Sequence, residues 1–273
     1  MFNVSVPGPD WLWPLGLVWL TYFGGALVLD RLLIHGAWQK HRLVTFTGTC
    51  SDYIQQIAFS ILNYGFFLPL ATLLLHDRVL LSEQEATQFY FSPLSWGLSY
   101  LSVFAFEFVR YWEHRLLHSK YFYWIHCIHH NNPAKMTTFS TISDHPLEFL
   151  LTECISLYFG PFILYPIPFP VLIMWWVYFV LAGLNDHSMA YHPQLPWLLD
   201  GRYHFLHHTK TVHNYSDVPW FDNLFGTFTP DVKLREQEEE KTEMQQKRHP
   251  LDSFALWEKK QGLSKHHPHR NYH

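Results

Sequence analysis

The sequence predicts an all-α integral membrane protein with four or five transmembrane helices and a His-rich helical cap on the cytosolic side. Three observations predict it: 48% of the 273 residues are hydrophobic and only 15% charged, apolar runs recur at the length of a bilayer crossing, and the polar segments near their ends are crowded with histidine. A transmembrane helix needs roughly 20 mostly apolar residues, because the hydrocarbon core is about 30 Å thick and each helical residue rises about 1.5 Å. A formal charge of −4 offers no basic face for nucleic-acid phosphates. Cys50, Cys127 and Cys154 are too few and too widely spaced for a disulfide framework or a CxxC zinc site.

The first span reads from Trp11 to Ile34, uncharged until Asp30, with Trp11, Trp13, Trp19 and Tyr22 suited to an interfacial belt. It is expected to stay attached, since no positively charged region precedes it and no small-residue cleavage site follows. A second span reads from Tyr53 to Leu75 and a third from Leu94 to Phe108, running into the first histidines. Leu147 to Tyr165 and Ile167 to Leu184 form two arms of a helical hairpin, because Pro161, Pro166, Pro168 and Pro170 would interrupt a continuous helix. Residues 1–230 therefore read as one membrane-embedded unit, and 231–273 as a charged tail without a span. Basic residues within Arg31–Arg42 and Arg110–Lys120 place those flanks and the cap in the cytosol.

Twelve of the twenty histidines fall between His114 and His213. His114 and His118 are four residues apart, which stacks them on one helix face. His126, His129 and His130 share a helical face at about 100° per residue, and the same spacing returns in His204, His207 and His208. His145 and His187 stand where apolar segments begin or end. These ten imidazoles exceed the four ligands of a structural zinc, and suggest a dinuclear site with about five nitrogens per ion, a number that suits iron better than tetrahedral zinc. The soluble di-iron bundle with Glu-x-x-His motifs is excluded, since the chain has none. Glu107, Asp144, Glu148, Asp186, Asp200 and Asp222 flank the histidines and are candidates to orient them or balance metal charge. His192 and His213 read as loop residues, and His249, His266, His267, His269 and His273 as solvated tail residues. Cys127 reads as a packing residue. Trp175, Trp176, Tyr178 and Phe179 read first as lipid-facing or interhelical packing, in segments where a tunnel for a lipid could run.

The ordered set Tyr111-Trp112-x-His114-Arg115-x-x-His118, His126-x-x-His129-His130, His145-Pro146-Leu147-Glu148, His187-Ser188, His204-x-x-His207-His208 and Asp222-x-x-Phe225-Gly226-Thr227 resembles the fatty acid hydroxylase and sterol desaturase superfamily. The resemblance covers roughly Glu107 to Pro230; the first hundred residues match only in being hydrophobic. It implies a membrane di-iron oxygenase of the endoplasmic reticulum that uses O2 and takes electrons from cytochrome b5 and its NAD(P)H reductase or a similar chain, with zinc able to replace the two irons in expressed protein. Glu107 stands where many relatives carry Asp. Tyr191 stands where some carry a further histidine, so His145 is taken as the tenth ligand.

Such a centre oxidises an unactivated C–H bond; return of hydroxyl gives an alcohol and loss of a second hydrogen an alkene, a choice set by how the target carbon is held. The favoured substrate is a sterol or related lipid, with long-chain aldehydes, alkyl lipids and sphingoid bases as alternatives. The rivals of another class are a membrane zinc hydrolase, which would need three ligands and an open water position, and a metal transporter, which would place its ligands within the spans.

Overall fold

The computed structural model describes residues 12–229 except Trp197. The expected tail, 231–273, and Trp11 lie outside the described residues. In chain order the helices are α1 (Leu15–Ile34), α2 (Cys50–Leu75), α3 (Glu83–Tyr90), α4 (Pro93–Leu117), α5 (Tyr123–His126), α6 (Pro146–Ile163), α7 (Phe169–Asp186), α8 (Arg202–Lys210) and α9 (Pro219–Leu224). Among the described residues there are isolated β-bridges but no strand.

Helices α1, α2, α6 and α7 are long and apolar enough to cross a membrane. They expose Leu20, Leu27, Ile54, Leu74, Phe162 and Leu181, large apolar side chains that a soluble surface would seldom display together. The third expected span, Leu94 to Phe108, is instead the first part of α4, which continues to Leu117 and carries Glu107, Arg110, Glu113 and Arg115 in its second half. Those charges keep α4 out of the set of spans defined by apolar composition. The hairpin arms are α6 and α7, with Pro166 and Pro168 in their connection; Pro161 sits inside the last turn of α6, which ends two residues later.

Helix starts follow their local sequence. Thr49 and Asp52 form a reciprocal capping box at the start of α2, and Ser92 caps α4 ahead of Pro93, whose missing N–H costs nothing at a first helical position. Helix α4 packs closely on α6. A Cβ on Gly160 would lie 2.6 Å from the Cα of Ser102, so the two backbones approach as only glycine allows. Gly160→Leu is expected to part these helices and lower the thermal midpoint by 5 °C or more, whereas Gly97→Leu, with open space around its Cβ position, changes it little. Thermal denaturation in detergent checks both.

A second packing feature positions the site. The segment Thr137–Asp144, built around the short 3-10 helix Thr138–Ile142, is buried between α1, α2 and α7, and in an apolar layer the backbone groups that such a short helix leaves unpaired need partners from the protein. Polar residues of the first two spans supply them. Asp30 accepts from the Thr138 amide and hydroxyl, both at 2.8 Å. Gln56 accepts from the Thr137 amide at 3.0 Å and donates to the Lys135 carbonyl at 3.0 Å. Tyr22 and Ser60 donate to the Phe139 carbonyl, at 2.9 and 3.0 Å. Asn63 donates to the carbonyls of Ile142 (2.8 Å) and Asp144 (3.1 Å). Helices α1 and α2 both widen to a π-turn here, at Leu20–Gly24 and Asn63–Phe67, so that Tyr22 and Asn63 sit on the widened turns.

Candidate metal centre

Nine of the ten expected histidines meet at the end of this bundle, each less than a tenth exposed. They form two adjoining groups: His114, His118, His126, His130 and His207 in one, and His129, His187, His204 and His208 in the other. Helix α4 brings His114 and His118 to its end, α7 delivers His187 just past its last residue, and α8 carries His204, His207 and His208.

The two H-x-x-H-H boxes do not each serve one group. Helix α5 stops at His126 and the chain continues in turns, so His126 and His130 join the first group while His129 enters the second. On α8 the division is exchanged: His204 and His208 serve the second group and His207 the first. The pair four residues apart stays together because α8 stacks His204 on His208, and in the other box a turn closed by the His130 amide on the His126 carbonyl does the same; the histidine three residues after the first, rotated by about 60° from it, reaches the neighbouring group. The expectation that all three rings of a box point the same way is corrected accordingly.

His145, expected as the tenth ligand, stands outside both groups. It caps α6, with its Nδ1 accepting the Leu147 amide at 3.2 Å, and its ring lies against Trp124. His192 is also apart, its ring tilted against that of His41 with centroids 4.1 Å apart. The ring of His213 joins neither group, but its carbonyl accepts from His207.

The protons of these rings are assigned by their partners. His114, His187 and His207 place Nδ1 against the carbonyls of Tyr215 (2.5 Å), Gly183 (3.0 Å) and His213 (2.7 Å), which can only accept. Nδ1 therefore carries the hydrogen and Nε2 the lone pair. Burial, followed for most of the rings by neighbouring imidazoles, holds every ring below the ordinary histidine range, His207 at about 4 and His129 at about 3, so the rings are neutral.

Yet the Nε2 atoms face one another. In the first group His114–His126, His126–His118, His118–His207 and His130–His207 lie 3.1, 3.0, 3.1 and 3.0 Å apart. In the second, His129–His187, His187–His204 and His204–His208 lie 3.3, 3.0 and 2.9 Å apart. Converging lone pairs at these distances repel unless a cation lies among them. A cation with bonds of about 2.1 Å to nitrogen holds donors about 3.0 Å apart at right angles, against about 3.4 Å in a tetrahedron. Each donor set thus has the spacing to hold a cation, one offering five nitrogens and the other four.

Two of the flanking carboxylates touch ligands directly. Asp144 lies 2.6 Å from Nδ1 of His129, and Glu148 lies 2.5 Å from Nδ1 of His126. Burial alone pushes the Asp144 carboxyl up to about 8; a cation on the far nitrogen of His129 favours the ionised carboxylate and the Nδ1–H donor. Asp222 acts one step away. It accepts from the amides of Tyr215 and Ser216, both at 2.8 Å, from Tyr203 at 2.5 Å and from Thr227 at 2.6 Å. Burial raises this carboxyl, but those hydrogen bonds outweigh it and hold Asp222 below the usual carboxylate range. It thus sets the loop whose Tyr215 carbonyl orients His114. Gly226, at φ +70°, makes the turn that returns Thr227 to Asp222.

Asp222→Leu is expected to free that loop and lower metal occupancy by about tenfold, the range seen when groups supporting a ligand are removed; Asp222→Asn, which cannot accept from all five donors, the Ser216 hydroxyl included, falls between. Metal analysis checks both.

Asp200 pairs with Arg202 instead, at 2.7 Å, and Glu107 and Asp186 make no contact with a ligand ring. Cys127 packs against Tyr123, and burial raises its thiol. Trp176 is buried, Trp175 half-buried and Tyr178 exposed. Sequence reading missed Asp30, Gln56 and Asn63, whose signal is polar side chains inside otherwise apolar spans.

Residues 99–227 match the fatty acid hydroxylase family. This stretch belongs to the fatty acid hydroxylase and sterol desaturase superfamily. Three relatives agree. Methylsterol monooxygenase 2-2 of Arabidopsis thaliana is 33% identical over 138 residues, covering 44% of this chain and 48% of its own. Human fatty acid hydroxylase domain-containing protein 2 is 31% identical over 137 residues, covering 49% and 40%. Very-long-chain aldehyde decarbonylase GL1-11 of Oryza sativa subsp. indica is 33% identical over 133 residues, covering 44% and 48%. The chain thus spans about half the length of the curated relatives it matches. No solved structure matches it.

Proposed function

We propose that the chain oxidises a membrane lipid with O2 at two iron ions held by the nine histidines, with a sterol or related lipid as the favoured substrate. The observation that carries the reading is the convergence of five and four neutral imidazole nitrogens in adjoining groups. A zinc hydrolase would use three ligands and an open position. A transporter would set its ligands within the spans, whereas all nine stand outside the four spans. The relatives are named for sterol oxidation and for action on long-chain aldehydes, which keeps the aldehyde, alkyl and sphingoid alternatives in view.

When bound, the irons supply the O2-dependent oxidation of an unactivated C–H bond. The chain's own residues hold and orient. His114, His118, His126, His130 and His207 would hold one ion, and His129, His187, His204 and His208 the other. Asp144, Glu148 and the Tyr215, Gly183 and His213 carbonyls fix the tautomers of His129, His126, His114, His187 and His207, and the buried 137–144 segment covers that side. Apolar crevices between α4, α6 and α7 are closed to about 10 and 20 Å³, divided where the Phe106 and Phe179 rings lie 4.1 Å apart. A lipid chain running there must turn those rings aside.

Residence in the endoplasmic reticulum with the centre facing the cytosol, and electrons from cytochrome b5 and its reductase, complete the proposal. It is tested by lipid analysis under 18O2 of cells expressing the chain beside a ligand variant, together with iron analysis of the purified protein. Label entering an alcohol, or a new alkene without label, separates hydroxylation from desaturation. No lipid change with iron bound would refute the reading.

A further inference from the structure

The connection between α1 and α2, residues 35–49, runs beside the stretches that carry the four-nitrogen group. It precedes residues 99–227, which match the family, yet it bonds to both stretches that lead away from ligands of that group. After His187 the chain pairs with it as a short antiparallel bridge. The Leu43 amide donates to the Met189 carbonyl at 2.7 Å and the Tyr191 amide to the His41 carbonyl at 2.8 Å, on either side of the bridge between Arg42 and Ala190. After His129 and His130, the Thr47 amide donates to the Ala134 carbonyl at 2.8 Å. Val44 packs with Ala134, Met136, Met189 and Phe205 in one buried apolar cluster, and Phe205 follows His204 on α8.

Arg42 lies within this strap and is only 4% exposed. Burying a cation is costly unless acceptors surround it. The acceptors here are three carbonyls: Nε donates to Val44 at 3.3 Å within the strap, one terminal nitrogen to Ser188 at 3.4 Å, and the other to Met136 at 3.1 Å. A guanidinium carries its donors in a rigid planar fork, so carbonyls bonded to its two ends are held at a set separation. One of them belongs to the residue after His187, and the other closes the stretch begun at His129. Met189 adds a second observation. Its backbone is left-handed, at φ +49°, a conformation that is costly for a residue with a Cβ and persists only where the surroundings over-determine it. The bonds from Arg42 to the Ser188 carbonyl and from Leu43 to the Met189 carbonyl supply that restraint. The Nε2 atoms of His129 and His187, one from each stretch, are 3.3 Å apart, and this is the spacing that a shift of either stretch would change.

We propose that Arg42 is a positioning residue of the four-nitrogen group: its guanidinium fork fixes the stretch after His129 against the stretch after His187, and so sets the spacing of those two ligands. The inference rests on the reading of the histidines as a two-ion centre and adds to it a residue from outside the family match.

Binding of ferrous iron tests it without turnover, measured anaerobically by equilibrium dialysis on the full chain in detergent. Arg42→Met, which keeps an unbranched stem and removes the fork, is expected to weaken one of the two ions about tenfold and to leave the other within about twofold. A double-mutant cycle shows which ion it is. With His187→Ala, which already opens the four-nitrogen group, Arg42→Met should cost nothing further at the remaining ion. With His118→Ala, which opens the five-nitrogen group, it should still cost about tenfold. A general loosening of the fold would instead weaken both ions and add in both backgrounds. Arg42→Lys keeps the charge without the fork and should still weaken the same ion by about threefold or more. Full recovery with lysine, equal weakening of both ions, or no weakening of either overturns the proposal. Should Arg42→Met fail to fold, the same cycle with Arg42→Lys decides alone. If the unaltered chain holds fewer than two irons, the two-ion reading falls and this inference with it; if it holds two and Arg42→Met selects neither, only the inference falls.

Discussion

His207→Ala is expected to abolish lipid oxidation, by at least about a thousandfold, and to strip iron from the five-nitrogen group. Its Nε2 lies 3.1 Å from that of His118 and 3.0 Å from that of His130, so removal opens the middle of the donor set. The ring is wholly buried, and water filling its place cannot restore a nitrogen held by the His213 carbonyl. His129→Ala is expected to do the same for the four-nitrogen group, with an added cost to the fold. It leaves the Asp144 carboxyl buried without its imidazole partner, and a buried polar group that loses its hydrogen bond costs about 1–3 kcal/mol. The thermal midpoint of His129→Ala should therefore fall further than that of His207→Ala. His145→Ala is the control: it loses a helix cap worth about 1 kcal/mol and keeps its iron. Iron content, thermal midpoint and 18O2-labelled product, measured on all three, check the set. Oxidation surviving in His207→Ala, or iron lost equally from His145→Ala, would contradict the assignment.

The contrast between His145 and its neighbours shows what the sequence could disclose. Spacing alone marked His114 with His118, and the i, i+4 pairs within both later boxes, because helical geometry stacks such pairs wherever they occur. It could not say that His129 and His207 cross to the opposite group. That depends on α5 ending at His126 and on how α8 packs against α7, which are matters of tertiary contact. His145 precedes a proline that starts a helix, and a capping role satisfied its ring before any metal could claim it.

The spans were legible where composition is uniform, as in α1, α2, α6 and α7. Helix α4 was not, since its apolar first half reads as a crossing while its second half carries charge into the centre. The first hundred residues seemed to offer only hydrophobicity. Their polar members, Asp30, Gln56 and Asn63, hold the 137–144 backbone and with it the carboxylate beside His129. A single polar side chain in an apolar run is visible in sequence; its partner a hundred residues away is not.

Acid is expected to empty the centre cooperatively. A histidine in an unfolded chain titrates near about 6.5, while burial holds His207 at about 4, His129 at about 3 and the other seven rings below their ordinary value. Between those values the unfolded state binds more protons than the folded one. The stability contributed by these rings is thus present above about pH 6.5 and lost as pH falls toward the folded values. For His207 alone the shift corresponds to about 3 kcal/mol, at about 1.4 kcal/mol per pH unit. Asp144 works in the opposite sense, since burial raises its carboxyl to about 8 and protonation on acidification favours the folded form. It is one group against nine rings, and a cation on His129 keeps it ionised. A bound ion sharpens the acid loss, because every ligand must be deprotonated to hold it. Iron retained after desalting should therefore be constant from pH 8 to 7 and fall steeply below about 6.5, with more than one proton taken up per ion released, while the thermal midpoint falls in parallel. Iron content flat down to pH 5, or a midpoint that rises with acid, would show that the nine rings do not act together on a metal.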